Sequence, residues 1–109
     1  MEGFVKGDIV VTSFPFSDLT AAKRRPALIL ASFENEFILA QVTSEPKFDQ
    51  YFIPLRNAEL EKGNLAVDSW VRINKLFTSS NTLILYKIGA IKEWKRKRIT
   101  QEICAMFQQ

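Results

Sequence analysis

Between Gly7 and Ser32 the chain runs through two apolar β-type segments, Asp8–Phe14 and Ala27–Ser32, joined by a polar loop that ends in Lys23-Arg24-Arg25-Pro26. Val, Ile and Phe crowd the first segment, the composition of a strand packed on at least one face. Pro26 fixes its own φ and biases Arg25 towards an extended conformation. The cations therefore arrive at the mouth of the second strand, and at least one arginine has to lie along the sheet. A guanidinium held there is a poor core residue and a good ligand for phosphate oxygens, because its planar fork matches them.

Short β-type runs continue along most of the chain. Glu34-Asn35-Glu36 is a polar turn, and Phe37–Thr43 returns as the second arm of a hairpin with Ala27–Ser32. Pro46 breaks the run, Tyr51–Ile53 resumes it up to Pro54, and Asn57–Asn64 holds a short helical turn closed by Lys62-Gly63-Asn64. Ser69–Asn74 alternates apolar and polar residues, Ser79-Ser80-Asn81 is a turn, and Thr82–Ile91 is apolar with Gly89 marking a bend or bulge. Only the end of the chain reads as helix, with Ile99, Ile103, Met106 and Phe107 on one face. Trp94 lies off that stripe, so the pattern does not set where the helix begins; Arg98-Ile99-Thr100 is one candidate first turn. Strands at short spacing closed by one helix predict a mainly β fold, a small barrel or half-barrel, in a single domain over 1–109.

The totals exclude several function classes. A chain of 109 residues buries roughly 60–70% of its unfolded surface and needs no staples. Its apolar runs are far short of the ~20 residues that cross a bilayer, and no charged segment followed by an apolar one opens it. The expectation is a cytoplasmic protein with no membrane partner. The one cysteine, Cys104, rules out an internal disulfide and reads as core packing beside Ile103 and Met106. There is no histidine, which removes the commonest zinc ligand and general base and leaves no metal or cofactor site in view. The net charge of +3 is a modest pointer to a polyanionic partner.

Four constellations carry chemistry. Lys23, Arg24 and Arg25 form the first; composition alone reads them as a solvated loop, and their place before a strand argues for a phosphate site. Gln41-Val42-Thr43-Ser44-Glu45-Pro46 is the second. In a hairpin the start of one strand faces the end of the next, so Arg25 and Thr43 are expected as neighbours, a cation beside a hydroxyl. The alternative is that Thr43 and Ser44 satisfy backbone groups in a turn. The third, Lys92 with Lys95, Arg96, Lys97 and Arg98, projects all around a helix and reads as a solvated terminus, with Trp94 packed on the sheet. The fourth, Asp68–Thr78, is structural in its alternation, although Arg72 and Lys75 extend a basic groove if one exists.

Gly7-Asp8, Phe14-Pro15-Phe16-Ser17-Asp18-Leu19 and Arg24-Arg25-Pro26-Ala27-Leu28 together resemble the first conserved block of the MazF/PemK toxin family. Val42-Thr43-Ser44 is similar to the second block, and Ser69-Trp70-Val71-Arg72 through Thr78, with Lys87-Ile88-Gly89, to the third. The resemblance spans roughly residues 4 to 91 in order. It implies an SH3-like β-barrel of the CcdB/PemK type with a C-terminal α-helix, a homodimer, and a metal-independent endoribonuclease that cuts single-stranded RNA at short sequences. It also implies a small antitoxin protein whose tail fills the RNA groove. The family's key arginine precedes the conserved proline and carries over to Arg25; its key hydroxyl carries over to Thr43. Many members have glycine in the first loop, where Ala21-Ala22 stands here.

On this reading the 2′-OH of the RNA attacks its own phosphodiester, leaving a 2′,3′-cyclic phosphate and a 5′-OH. Arg25 and Thr43 are the catalytic candidates. Lys23, Arg24, Ser44, Asp18, Arg72 and Lys75 are the RNA-binding ones, and the general base is left open. Arginine is assigned electrostatics, because its pKa above 12 resists proton transfer. The alternatives are a gyrase-poison-like toxin on the same barrel, which binds a protein without catalysis, and a non-catalytic nucleic-acid or protein adapter.

Overall fold

The computed structural model describes residues 3–14 and 23–109. The elements are β1 (Asp8–Phe14), β2 (Lys23–Ser32), β3 (Glu36–Thr43), β4 (Phe52–Leu55), a 3₁₀ turn (Asn57–Glu59), β5 (Leu60–Gly63), β6 (Ser69–Ser80), a second 3₁₀ turn (Asn81–Leu83), β7 (Ile84–Ile91) and α1 (Glu93–Phe107). The strands form one seven-stranded sheet in the order β4-β6-β3-β2-β1-β7-β5. Every pairing is antiparallel.

The central strands are buried on both faces. On one face Ile9, Leu28, Ala40, Val42, Val71 and Ile73 meet Leu55 of β4, Leu60 of β5 and Ile99 of α1 in a single cluster. On the other, Val10, Ala27, Ile29, Leu39 and Ile84 pack with Phe37, against which Phe4 sets its edge at 6.3 Å. Two-sided burial explains why Ile9-Val10-Val11 and Ala27-Leu28-Ile29 read as unbroken apolar runs rather than as alternation.

Residues of both edge strands lie in the first cluster, so the sheet curls around it. The connection between those edges is short: Arg56 and the turn Asn57–Glu59 link β4 directly to β5. Asn57 pins the segment after β5, its Nδ2 donating to the Leu65 carbonyl at 3.1 Å and its Oδ1 accepting from the Leu65 N–H at 2.7 Å. Yet β4 and β5 share no ladder among the described residues. The expected mainly β fold with one C-terminal helix is present, and of the two forms expected, barrel or half-barrel, the open sheet does not show a closed barrel. Gly63 and Gly89 are paired where β5 meets β7. A Cβ on Gly63 (φ +81°) would run into the Ile88 carbonyl, and one on Gly89 into that of Lys62. The close approach needs glycine on both sides, and the expected irregularity at Gly89 is present as a register shift between Ile9 and Val10 of β1.

Several boundaries differ from the sequence reading. β2 starts at Lys23, because β1 pairs with it as far as Phe14 opposite Lys23. β6 runs on to Ser80; the helical turn expected within Asn57–Asn64 is Asn57–Glu59, and Leu60–Gly63 after it is a strand. The helix starts at Glu93. Its first inward position is Lys95, 5% exposed, a residue that an apolar count passes over. Cys104 is exposed, not packed, and Trp94 is 54% exposed rather than laid on the sheet. Both fall outside the arc of Lys95, Ile99, Ile103 and Met106, given 3.6 residues per turn.

Lys95 is neutralised by Glu59, Nζ to Oε2 at 2.9 Å. The same Glu59 accepts the Arg56 N–H at 2.8 Å, and its carbonyl accepts the Lys92 N–H at 2.9 Å. One acidic residue thus ties the start of α1 to the turn between the sheet edges. Lys95→Met should cost about 3 kcal/mol, since it leaves a largely buried carboxylate unpaired. Adding Glu59→Gln should recover most of that loss. Urea unfolding of both variants checks this; a single variant within about 0.5 kcal/mol of the parent, the range of ordinary surface changes, would show that the pair holds nothing together.

Candidate functional site

The β2–β3 ladder ends at Ala27 opposite Gln41. Pro26, next in line, has no N–H to contribute. Beyond it the start of β2 and the end of β3 are not paired to each other, while β1 still holds the far edge of β2, with Thr12 opposite Arg25 and Ser13 opposite Arg24. Between the separated strand ends lies a cleft of about 270 Å³ lined by Arg24, Arg25 and Pro26 on one side and Val42, Thr43, Ser44 and Glu45 on the other, with Val67 and Ser69. The structure therefore brings together Arg25 and Thr43, the pair the hairpin argument expects as neighbours, and sets Arg24 and Ser44 in the same cleft lining.

The two sides differ in chemistry. Arg24 is exposed and Arg25 half-buried, and among the described residues neither of them, nor Lys23, is paired with a carboxylate. They are unsatisfied cations on a hydrogen-bonded strand, a state that favours an outside anion. Thr43 Oγ1 accepts the Glu45 N–H at 3.1 Å. The turn role considered for Thr43 is thus real, and it leaves the hydroxyl proton free to donate, with no acceptor for it among the described residues. Among the described residues Glu45 is the one carboxylate lining the cleft.

The other expected site residues lie elsewhere. Lys23 is exposed at the start of β2, outside the cleft lining. Arg72 stacks its guanidinium 5.0 Å over Phe52. Its Nε and the Oε1 of its cross-strand partner Gln41 are both buried without a hydrogen bond among the described residues. Lys75 is exposed on a stretch of β6, Ile73–Lys75, that β3 skips in passing from Arg72 to Leu76. Asp18 lies outside the described residues. Glu45 and Ser69 escaped the sequence reading. The Thr-x-Glu spacing of a hydroxyl-capped turn was the available signal for Glu45, whereas nothing local points to Ser69.

A larger cleft of about 460 Å³ lies across the molecule, lined by Lys6, Asp8, Glu61, Lys62, Lys87, Glu93 and Arg96 among others. Four of its charges pair internally, Lys87 with Asp8 at 3.5 Å and Arg96 with Glu93 at 3.8 Å. The basic run at the helix is likewise consumed locally, Lys97 by Glu93 and Arg98 by Glu102. Among the described residues no three of His, Cys, Asp and Glu come together as metal ligands, and no helix is long and apolar enough to cross a membrane.

A family model described as "PemK-like, MazF-like toxin of type II toxin-antitoxin system" matches residues 5–107. A search of curated proteins finds no match. Among solved structures, MazF of Deinococcus radiodurans is similar over 100% of both chains at 16% identity, with a TM-score of 0.77. The Mycobacterium tuberculosis toxin MazF-mt6 is similar over 93% of this chain and 96% of its own, at 19% identity and a TM-score of 0.73. An endoribonuclease from a mycobacterial species, solved with its cognate antitoxin, covers 97% of this chain and 96% of its own at 8% identity and a TM-score of 0.72. At these identities the likeness establishes a shared fold.

Because Arg24 and Arg25 pair with no carboxylate among the described residues, removing their charge should cost the fold little. Arg24→Gln and Arg25→Gln are each expected to stay within about 0.5 kcal/mol of the parent in urea unfolding. A loss several times larger would mean that the guanidinium groups hold the strands rather than await a ligand.

Proposed function

This chain belongs to the PemK-like, MazF-like toxin family of type II toxin-antitoxin systems, and on that premise we propose that it is an endoribonuclease that cuts single-stranded RNA in the cleft between β2 and β3. The observation that carries the reading is the convergence of Arg24 and Arg25, which have no carboxylate partner among the described residues, with Thr43 and Ser44 at one cleft. That donor set fits a phosphodiester: a rigid fork for non-bridging oxygens, a hydroxyl to donate, and further positive charge for the flanking phosphates. A solved relative named as an endoribonuclease supports it.

The chemistry needs no protein nucleophile. The substrate 2′-OH attacks the adjacent phosphorus, the P–O5′ bond breaks, and the products are a 2′,3′-cyclic phosphate and a 5′-OH. Arg25 stabilises the charge that grows on the non-bridging oxygens in the transition state, and Thr43 donates a second hydrogen bond to them. Arg24 and Lys23 hold flanking phosphates, so that attack and departure lie in line. The 2′-OH proton passes to Glu45, the carboxylate of the cleft, and solvent protonates the departing 5′ oxygen. On this reading the reaction runs without metal, with arginine meeting the charge of the transition state. The working unit is a homodimer in the cytoplasm. Two relatives were solved with antitoxins, the mycobacterial endoribonuclease and MazF of Deinococcus radiodurans; a small antitoxin protein that covers this cationic cleft is the matching partner here.

With a chelator present, the protein should cut single-stranded RNA, and a single deoxynucleotide 5′ of the cut should abolish cleavage there while binding survives. Arg25→Lys should lower the rate on the order of 10²–10³-fold, because lysine keeps the charge and loses the fork; Arg24→Lys should matter less. End-mapped products of matched oligonucleotides decide this: equal cutting of the deoxy substrate, or near-parental cutting by Arg25→Lys, sinks the mechanism. Glu45→Gln should slow single-turnover cleavage on the order of 10²-fold with little change in binding. A parental rate would remove Glu45 from the proton path.

A further inference from the structure

Trp70 stands directly opposite Thr43 in the β3–β6 ladder and opposite Pro54 in the β4–β6 ladder. Residues directly opposite across a ladder share a face of the sheet, with Cβ atoms about 5 Å apart. Counting in steps of two from the Ala27–Gln41 pair puts Arg25 on that same face. A cation, a hydroxyl and an indole thus follow one another across β2, β3 and β6. The indole is half-buried rather than sunk in the core. Above it lies the guanidinium of exposed Arg56, 5.2 Å from the ring centroid. Arg56 has no carboxylate partner among the described residues. Its side chain reaches only the Ser69 carbonyl, at 3.5 Å, and Ser69 lines the cleft.

We propose that Trp70 and Arg56 form a stacking platform for an unpaired RNA base, beside the phosphate held at Arg25 and Thr43. The inference rests on the cleft being an RNA site and adds to it a place for a base. Phosphate contacts position a nucleic acid but do not distinguish one strand from another. An aromatic ring with an arginine plane is the surface that takes a base, and only an unstacked one, because a paired base hides both its faces. The platform therefore supplies the preference for single strands that unpaired cations alone do not. Arg56 adds charge as well as a plane, so it favours a base that carries its own phosphate. The position is set by β4: Pro54 and Leu55 pair with Trp70 and Ser69, and the chain leaves that strand at Arg56.

The test uses fluorescence in a Trp94→Phe background, so that Trp70 is the one remaining tryptophan. The probes are an end-labelled, mixed-sequence 2′-O-methyl RNA 12-mer, which lacks the attacking hydroxyl, and an abasic chain of equal length and charge. The RNA is expected to quench Trp70 emission and to bind about 10-fold more tightly than the abasic chain. Trp70→Leu should erase that difference, and so should Arg56→Ala, an exposed change that does not threaten folding; Trp70→Phe should keep part of it. Equal binding of the two probes, or binding of the RNA with no change in Trp70 emission, overturns the platform. Cleavage of unmodified RNA by the parent protein is measured alongside. Cutting without quenching would defeat the platform and leave the ribonuclease reading standing; quenching without cutting would do the reverse.

Discussion

The β2–β3 ladder stops at Ala27 and Gln41, and the organisation of the candidate site follows from that stop. An antiparallel pair continues only while both chains present donors and acceptors in register, and Pro26 cannot donate. On its other edge β2 remains hydrogen-bonded to β1 through Lys23. The strand therefore loses one neighbour and keeps the other. A free loop would give mobile cations, and a fully paired strand would give no opening. This arrangement gives a fixed row of cations along one wall of a cleft, with a hydroxyl-bearing strand end as the other.

Charge is sorted in the same way. Lys95 is buried and neutralised by Glu59, Lys87 leans on buried Asp8, and the basic turns of α1 are matched at i+3 and i+4 by Glu93 and Glu102. Those cations serve the fold or the solubility of the helix. Lys23, Arg24 and Arg25 have no carboxylate partner among the described residues, although the strand they open runs on into the core at Ala27–Ile29. A net charge of +3 says little by itself. What matters is that three cations with no carboxylate partner among the described residues, Lys23, Arg24 and Arg25, follow one another on one strand, where a polyanion meets them together.

The edges of the sheet show the cost of packing seven strands around so small a core. Leu55 and Leu60, on opposite edge strands, enter the same cluster, which demands strong curvature. Gly63 against Gly89 allows β5 to approach β7 closely, and the register shifts in β1 and β6 absorb the bend. The stretch Ile73–Lys75 that β3 skips carries Ile73 into the core beside α1 and leaves Lys75 outward. Arg72, opposite Gln41 and so on the face of Arg25, lays its guanidinium over Phe52 and does not line the cleft.

Local chemistry made much of this protein legible without coordinates. Apolar runs such as Ile9–Val11 and Ala27–Ile29, bounded by polar turns, announced strands. The Arg25-Pro26 pair required an extended arginine, and hairpin geometry alone set Thr43 near it. These are properties of a few adjacent residues and need no long-range contact. The absence of histidine narrowed the chemistry just as directly. Tertiary structure decided the rest, because each remaining feature depends on a partner far away in the chain. Lys95 is an inward helix residue only because Glu59, on the turn between the sheet edges, meets it. Trp94 and Cys104 face outward because that same contact sets the rotation of α1. Whether the sheet closes depends on β4 and β5, which come close without pairing. Trp70 stands beside Thr43 through a ladder joining β3 to β6, strands that two others separate in the sequence, and no local pattern encodes that register.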